Sequence, residues 1–199
     1  MPAINIATFP VSDSFSNPDI FKGPMDLLKA AEGYKGAFYG LQIEDKKTGY
    51  FVSVWESYEL REKMAKDPSY AGVIEQLKPA VAGPFTRDHI NTTTDGLTAL
   101  SAPVVEFVTA TLKAGASAEK VSSLVEEFIK GLDGSAGSHA PAVWGQSVEN
   151  KDKFLLIVGW DSLEAHQAVV KANAFSSTVS AIQELADISI GHSNVKKHE

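Results

Sequence analysis

The sequence has no cysteine, which excludes disulfides, thiolate metal sites and a cysteine nucleophile. No run approaches the roughly 18 consecutive apolar residues that a membrane-spanning helix needs, so no membrane segment is expected. Positive charge is also scarce: 18 Lys and Arg face 25 Asp and Glu, a formal net charge of -7. The basic pairs Lys46-Lys47 and Lys196-Lys197 are too short to follow a phosphate backbone, so nucleic acid is not an expected partner. They read as a turn and a solvated tail. The opening MPAINIATFPV lacks a basic stretch followed by a long apolar run, so a cytoplasmic protein without a secretory signal is expected. Metal-ligand spacings, a glycine-rich phosphate loop and a G-x-S-x-G elbow are missing as well, and neither metal nor cofactor is expected.

What is present is an internal repeat. Shifting the chain by 105 lays Tyr34 to Ser57 over His139 to Ser162 without a gap. Ala37, Gly40, Glu44, Lys46, Trp55 and Ser57 then fall on Ala142, Gly145, Glu149, Lys151, Trp160 and Ser162. The register continues through Glu59 on Glu164, Arg61 on His166, Lys66 on Lys171 and Tyr70 on Phe175. A shift of 103 places His89-Ile90-Asn91 on His192-Ser193-Asn194, and one of 101 sets Ile4-Asn5-Ile6 against Val105-Glu106-Phe107. The chain is a tandem duplication.

Each unit reads as strand, helix, hairpin, broken helix, strand. Ile4 to Val11 and Val104 to Leu112 have the apolar patterning of strands. Asn17-Pro18 and Ser117 are helix openers, and Val121, Leu124, Val125, Phe128 and Ile129 form the apolar stripe of a helix packed on a sheet. The polar turns Glu44 to Gly49 and Glu149 to Lys153 lead into FVSVW and FLLIVGW, which are β-branched and aromatic. A helical region follows, broken at Asp67-Pro68 and at Ala172-Asn173, and Phe85 to Thr92 or Ile188 to Asn194 closes the unit. This β-α-β-β-α-β order is the ferredoxin-like unit, with helices on one sheet face and the other face uncovered. Two units in one chain can cover each other. The expected fold is α+β, two ferredoxin-like repeats (1–93 and 103–199, with a linker at 94–102) pairing into a single-chain α+β barrel.

The segments VWESYELREKMAKDPSY and VGWDSLEAHQAVVKANAF resemble the dimeric α+β barrel superfamily, and within it the antibiotic-biosynthesis-monooxygenase-type and stress-responsive A/B barrel domains. The resemblance covers nearly the whole chain, twice, in the tandem form where a fused pair replaces a homodimer. It implies a pocket for a small hydrophobic or aromatic molecule, and a fused barrel that could dimerise further. The HPxH-like segment of the plant polyketide cyclases in this group falls on Asp67 to Tyr70 and on Ala172 to Phe175. Their basic His is thus replaced by Tyr70, a phenol and a poor base near neutrality, or by Phe175, which moves no proton. The segments matching the axial His of haem-binding relatives, Ser69 to Leu77 and Ala174 to Ile182, contain no His.

Five histidines remain to be placed. His166, at a helix position that reads as exposed, and His198, in the tail, are expected to be solvated. His89 and His192 close equivalent strands within a shared His-x-Asn. Alternation groups Phe85, Arg87, His89 and Asn91 on one face, and Ile188, Ile190, His192 and Asn194 on its counterpart. The apolar members suggest that this face turns inward, where imidazole is a ready acid or base; the other reading is a strand-end histidine held by a neighbour. Glu106 interrupts the apolar run VVEFV, where a buried carboxylate must find a partner. His139 opens a strand where Tyr34 stands in the first half.

The expected proton-moving set is therefore His89 and His192, supported by Glu106, His139 and Tyr70. Arg87, Asn91, Asn194, Tyr39, Trp144 and Phe175 are expected at the ligand. The leading expectation is a cofactor-independent enzyme that oxygenates a small hydrophobic or aromatic metabolite, or moves its protons in cyclisation or isomerisation. The alternative is a non-catalytic, stress-linked ligand-binding protein.

Overall fold

The computed structural model describes residues 1–173 and 175–197. Ala174 and His198, both drawn into the sequence reading, lie outside them. The first repeat runs β1 (Ala3–Pro10), α1 (Asp19–Lys29), β2 (Tyr34–Leu41), β3 (Thr48–Trp55), α2 (Tyr58–Lys66), α3 (Tyr70–Leu77) and β4 (Thr86–Asn91). After a helical turn, α4 (Leu97–Leu100), the second runs β5 (Val104–Leu112), α5 (Ala118–Leu132), β6 (Ser138–Gln146), β7 (Lys153–Trp160), α6 (Leu163–Lys171), α7 (Ser176–Leu185) and β8 (Ala186–Ser193), with β9 (Lys196–Lys197) after it.

The repeated Trp-x-Ser is a helix start. The Ser57 and Ser162 hydroxyls accept from the otherwise unpaired backbone N–H groups of Leu60 and Ala165, at 3.4 and 3.2 Å. Each helical region breaks where expected, by different means. Before Pro68 the backbone of Asp67 is extended, because a proline disfavours helix in the residue ahead of it. In the second half, Asn173 takes the left-handed conformation at φ 53°.

Both sheets are antiparallel, ordered β4-β1-β3-β2-β9 and β6-β7-β5-β8. Ile4, Ile6, Val52, Val54 and Ile90 of one meet Val105, Phe107, Leu155 and Ile157 of the other in a shared core, where Tyr50 stacks on Phe107 at 4.3 Å between ring centroids. The alternate residues of the same strands face the helices. Ala3, Phe9, Phe51 and Trp55 pack on α1 and α3; Val104, Phe154, Val158 and Trp160 pack on α5 and α7. Two segments differ from expectation. Within the linker, Ala99 and Leu100 are fully buried against the shared core, because a barrel of two sheets leaves an end that a short apolar turn can plug. Lys196 and Lys197 are exposed, but they pair as a strand with Tyr39 and Phe38 of the first repeat instead of trailing in solvent.

The barrel closes at two equivalent seams. At one, Gln42 bridges Ser193 and the Ile43 backbone N–H donates to the His192 carbonyl at 2.7 Å. At the other, Ser147 bridges Ile90 and the Val148 N–H donates to the His89 carbonyl at 2.8 Å. A glutamate from the opposite hairpin fastens each seam. Glu44 accepts from the His192 backbone N–H at 3.0 Å and meets its Nδ1 at 2.5 Å. Glu149 accepts from the His89 N–H at 2.8 Å and meets its Nδ1. Burial alone would raise both carboxyls, but the hydrogen bonds from their histidines outweigh it and hold both below the usual range.

Candidate functional site: two unlike helix-facing pockets

His89 and His192 both turn inward, towards the helix layer and not into the space between the sheets. The apolar neighbours that suggested an inward face, Phe85 and Ile190, are themselves 48% and 47% exposed. His89 stands across the β1–β4 ladder from Asn5, and His192 across the β5–β8 ladder from Glu106.

In the first half, the sheet and the helices enclose a cavity of about 270 Å³. Phe51, Trp55, Leu28, Val73, Ile74 and Leu77 supply apolar walls, and Asn5, Ser53, Arg61, Tyr70 and Arg87 supply polar groups. Ser53 Oγ accepts from the Asn5 amide at 3.3 Å and from the Trp55 indole at 2.9 Å. Arg61, 3% exposed, donates to the Tyr70 hydroxyl at 2.9 Å, which leaves the phenolic proton free to donate onward. Asn5 Oδ1, Arg87 Nε and His89 Nε2 are buried with no hydrogen-bond partner among the described residues. His89 is not in the cavity wall; it stands across the ladder from Asn5 with its ring edge-on to Tyr58 at 5.3 Å. Burial, only partly offset by Glu149, pushes its imidazole below the usual value, so it is neutral at pH 7. With Nδ1–H assigned towards Glu149, its Nε2 carries a lone pair.

The second half builds something else from the same positions. Its apolar cavity is smaller, about 100 Å³, and includes Glu106 in its wall. Glu106, 5% exposed, accepts from the Trp160 indole at 2.8 Å. Its other oxygen lies 3.7 Å from His166 Nε2, and His166 Nδ1 lies 2.9 Å from His192 Nε2. Expected to be solvated, His166 is instead half-buried against the Trp160 ring, at 5.1 Å, because the partly covered α6 lies over the end of β7. Burial pushes it below the usual imidazole value despite Glu106.

Of the expected residues, Tyr70 and Arg87 line the first cavity and Glu106 the second, while His192 joins Glu106 at the cluster. The rest lie elsewhere. His139 pairs with Asp161 at 2.8 Å on the surface. Asn91 is an exposed strand end, and the Asn194 amide donates to the Pro103 carbonyl. Tyr39 stacks on Phe21, Trp144 on Phe154, and Phe175 meets Phe128 edge-on, so all three are packing residues away from both cavity walls. Sequence reading passed over Arg61, Ser53, Glu44 and Glu149. The two glutamates did carry a signal, as identical residues within otherwise polar, variable turns.

No protein-family model matches this sequence, and no curated protein matches it either. Solved structures do share its fold. A candidate monooxygenase from Fusobacterium nucleatum superposes with a TM-score of 0.77 at 14% identity, covering 100% of this chain and 94% of that one. A candidate monooxygenase from Lactobacillus acidophilus gives 0.72 at 14% identity over 98% and 95% of the two chains. An anthrone oxidase-like protein gives 0.71 at 11% identity over 99% and 92%. The tandem α+β barrel is thus common to this chain and to proteins described as monooxygenases. Among the described residues, no helix is long and apolar enough to cross a membrane.

Proposed function

We propose that the first half is a cofactor-independent oxygenation site for a small aromatic ketone or phenol. The observation that carries the proposal is the cavity of about 270 Å³, apolar in its walls, with Asn5 Oδ1 and Arg87 Nε buried beside it and unpartnered among the described residues. An unpaired buried polar atom costs about 1–3 kcal/mol, a cost that a ligand bearing matching groups removes. The volume suits a molecule of roughly two or three rings, at the small end of ligand pockets.

Asn5 Oδ1 would accept from a substrate hydroxyl. Arg87, Arg61 and the Tyr70 hydroxyl would stabilise the oxygen of an enolate or phenolate, whose charge is worth far more to such donors in a dry site than in water. His89, neutral and held by Glu149, stands behind the cavity wall across the ladder from Asn5, and would take the substrate proton through an intervening water. An electron-rich carbanion of this kind reduces O2 directly. In balance, a ring CH2 and O2 become a ring C=O and water. The described likeness to an anthrone oxidase-like protein makes anthrone a reasonable first probe.

The test is O2 uptake and quinone formation with anthrone, for the full chain and for Asn5→Leu and Arg87→Met. The expected result is turnover without added cofactor, with kcat/KM down by about 10²-fold or more in Arg87→Met, as for loss of a donor to a developing oxyanion, and down by less in Asn5→Leu, which removes an acceptor for the enol form. Tight binding of anthrone with no catalysed O2 uptake would reject oxygenation and leave a carrier.

A further inference from the structure

We infer that the second half holds a divalent transition-metal cation, of which Zn2+ is the simplest probe, between Glu106, His166 and His192. One ligand atom from each of the three lies within 4.8 Å of the others. Donors about 2.0–2.2 Å from a shared tetrahedral ion stand somewhat closer together than that, so a side-chain adjustment of about an ångström would close the set around it. Two imidazoles and one carboxylate form a donor set suited to zinc and to related divalent ions.

The surroundings support a ligand role for these groups. A ligating histidine usually has its second ring nitrogen fixed by a carboxylate, and His192 Nδ1 meets Glu44 at 2.5 Å. Glu106 is oriented in the same way, by the Trp160 indole at 2.8 Å. Among the described residues, the ion-pair partner of Glu106 within 4.0 Å is His166, with neither Lys nor Arg at that distance. A buried carboxylate without a permanent cation is costly, and a bound metal is one of the two usual remedies.

The first half supplies an internal control. Its counterparts of Glu106 and His166 are Asn5 and Arg61, an amide and a buried guanidinium. Where the carboxylate is absent, a fixed positive charge stands in the layer; where the carboxylate is present, an imidazole replaces that charge. The pairs have exchanged together, as expected if one half balances its site with a side-chain cation and the other with an ion. Glu106 also lines the cavity of about 100 Å³, so a bound metal would have ligand-sized space beside it. The three donors come from β5, α6 and β8, each a lone residue in its element, so no metal-ligand spacing is visible along the sequence.

The test is calorimetric titration of tag-free, chelator-stripped full chain with Zn2+, repeated with Co2+ to read ligand-field bands of an N/O site. The expected result is one saturable site per chain. Glu44→Gln, which removes no metal ligand, weakens the fixing of His192 and keeps an oxygen for the seam, should weaken it by roughly 10- to 100-fold. Glu106→Asn and His166→Arg install the residues the first half already folds with, and each should weaken binding further still. Loss of binding in folded variants, checked by circular dichroism, supports the site. Absence of saturable binding by the wild-type chain overturns it. So does equal binding by both variants, which would assign the metal to surface donors such as His139 and Asp161.

Discussion

Replacing Glu149 with alanine removes both acceptors that fasten one seam of the barrel, the partners of the His89 backbone N–H and of its Nδ1. His89 is 3% exposed, so its backbone N–H has little access to water once the carboxylate is gone. A buried donor left unpaired costs about 1–3 kcal/mol. The ring Nδ1–H loses its acceptor as well, and moving the proton to Nε2 gains no partner there. The Glu149 side chain is itself 38% exposed, so solvent screening and entering water place the total near the low end, about 2 kcal/mol. Glu149→Gln keeps an oxygen for the backbone N–H and should cost about half as much. Against a typical stability of about 5–15 kcal/mol, both effects are readable in urea unfolding at pH 7.5, as a shift in midpoint at unchanged slope. Glu44→Ala should behave alike at the other seam, and with no partner shared between the seams the two should add. If Glu149→Ala stays within about 0.5 kcal/mol of wild type, the clamp does not hold the halves together and the seam account fails.

Gly145→Ala should destabilise by about 1–3 kcal/mol in the same assay, because the new methyl would lie 2.6 Å from the Asn91 carbonyl oxygen, where backbone of one repeat meets backbone of the other. Phe38→Ala, at a fully buried position in the shared core, should cost about 3–5 kcal/mol and broaden or split the thermal transition if the sheets separate. Acidification should destabilise in two stages. His89 is held below its unfolded value near 6.5, so the unfolded chain binds the proton more readily and stability is lost as pH falls below about 6.5. Glu44 and Glu149 are also depressed, so their contribution persists above about pH 4.3 and is lost below it. Melting temperature followed from pH 8 to about pH 2.5 should therefore be flat at the top and fall twice; a rise on acidification would contradict both directions.

The duplication made most of the architecture legible, because strands and caps recur at matched positions: β5 begins and ends where its apolar run does, and Ser57, Ser162 and Ser117 cap the expected helices. The buried turn within the linker was not legible because polar residues such as Thr92 to Asp95 precede it, and only the open end of a barrel explains why Ala99 and Leu100 are buried. The site was legible one residue at a time. Glu106 stood out as a charge within an apolar strand, and His89 and His192 as a repeated pair. Glu44 and Glu149 were legible as a repeated residue but not as the partners of those histidines, because they arrive from the opposite repeat across seams that no local pattern encodes. His166 reads as solvated because α6 has no fully buried residue to mark its inner face.

The central claim is that the first-half cavity oxygenates its ligand with the chain's own side chains, and the oxygen stoichiometry of the wild-type protein tests it most directly. In the presence of chelator, which silences the second-half metal site, anthrone should consume one O2 for each quinone formed, with water and no hydrogen peroxide as the other product. Catalysis that vanishes with chelator and returns with metal, or peroxide formed in step with the quinone, would contradict the account.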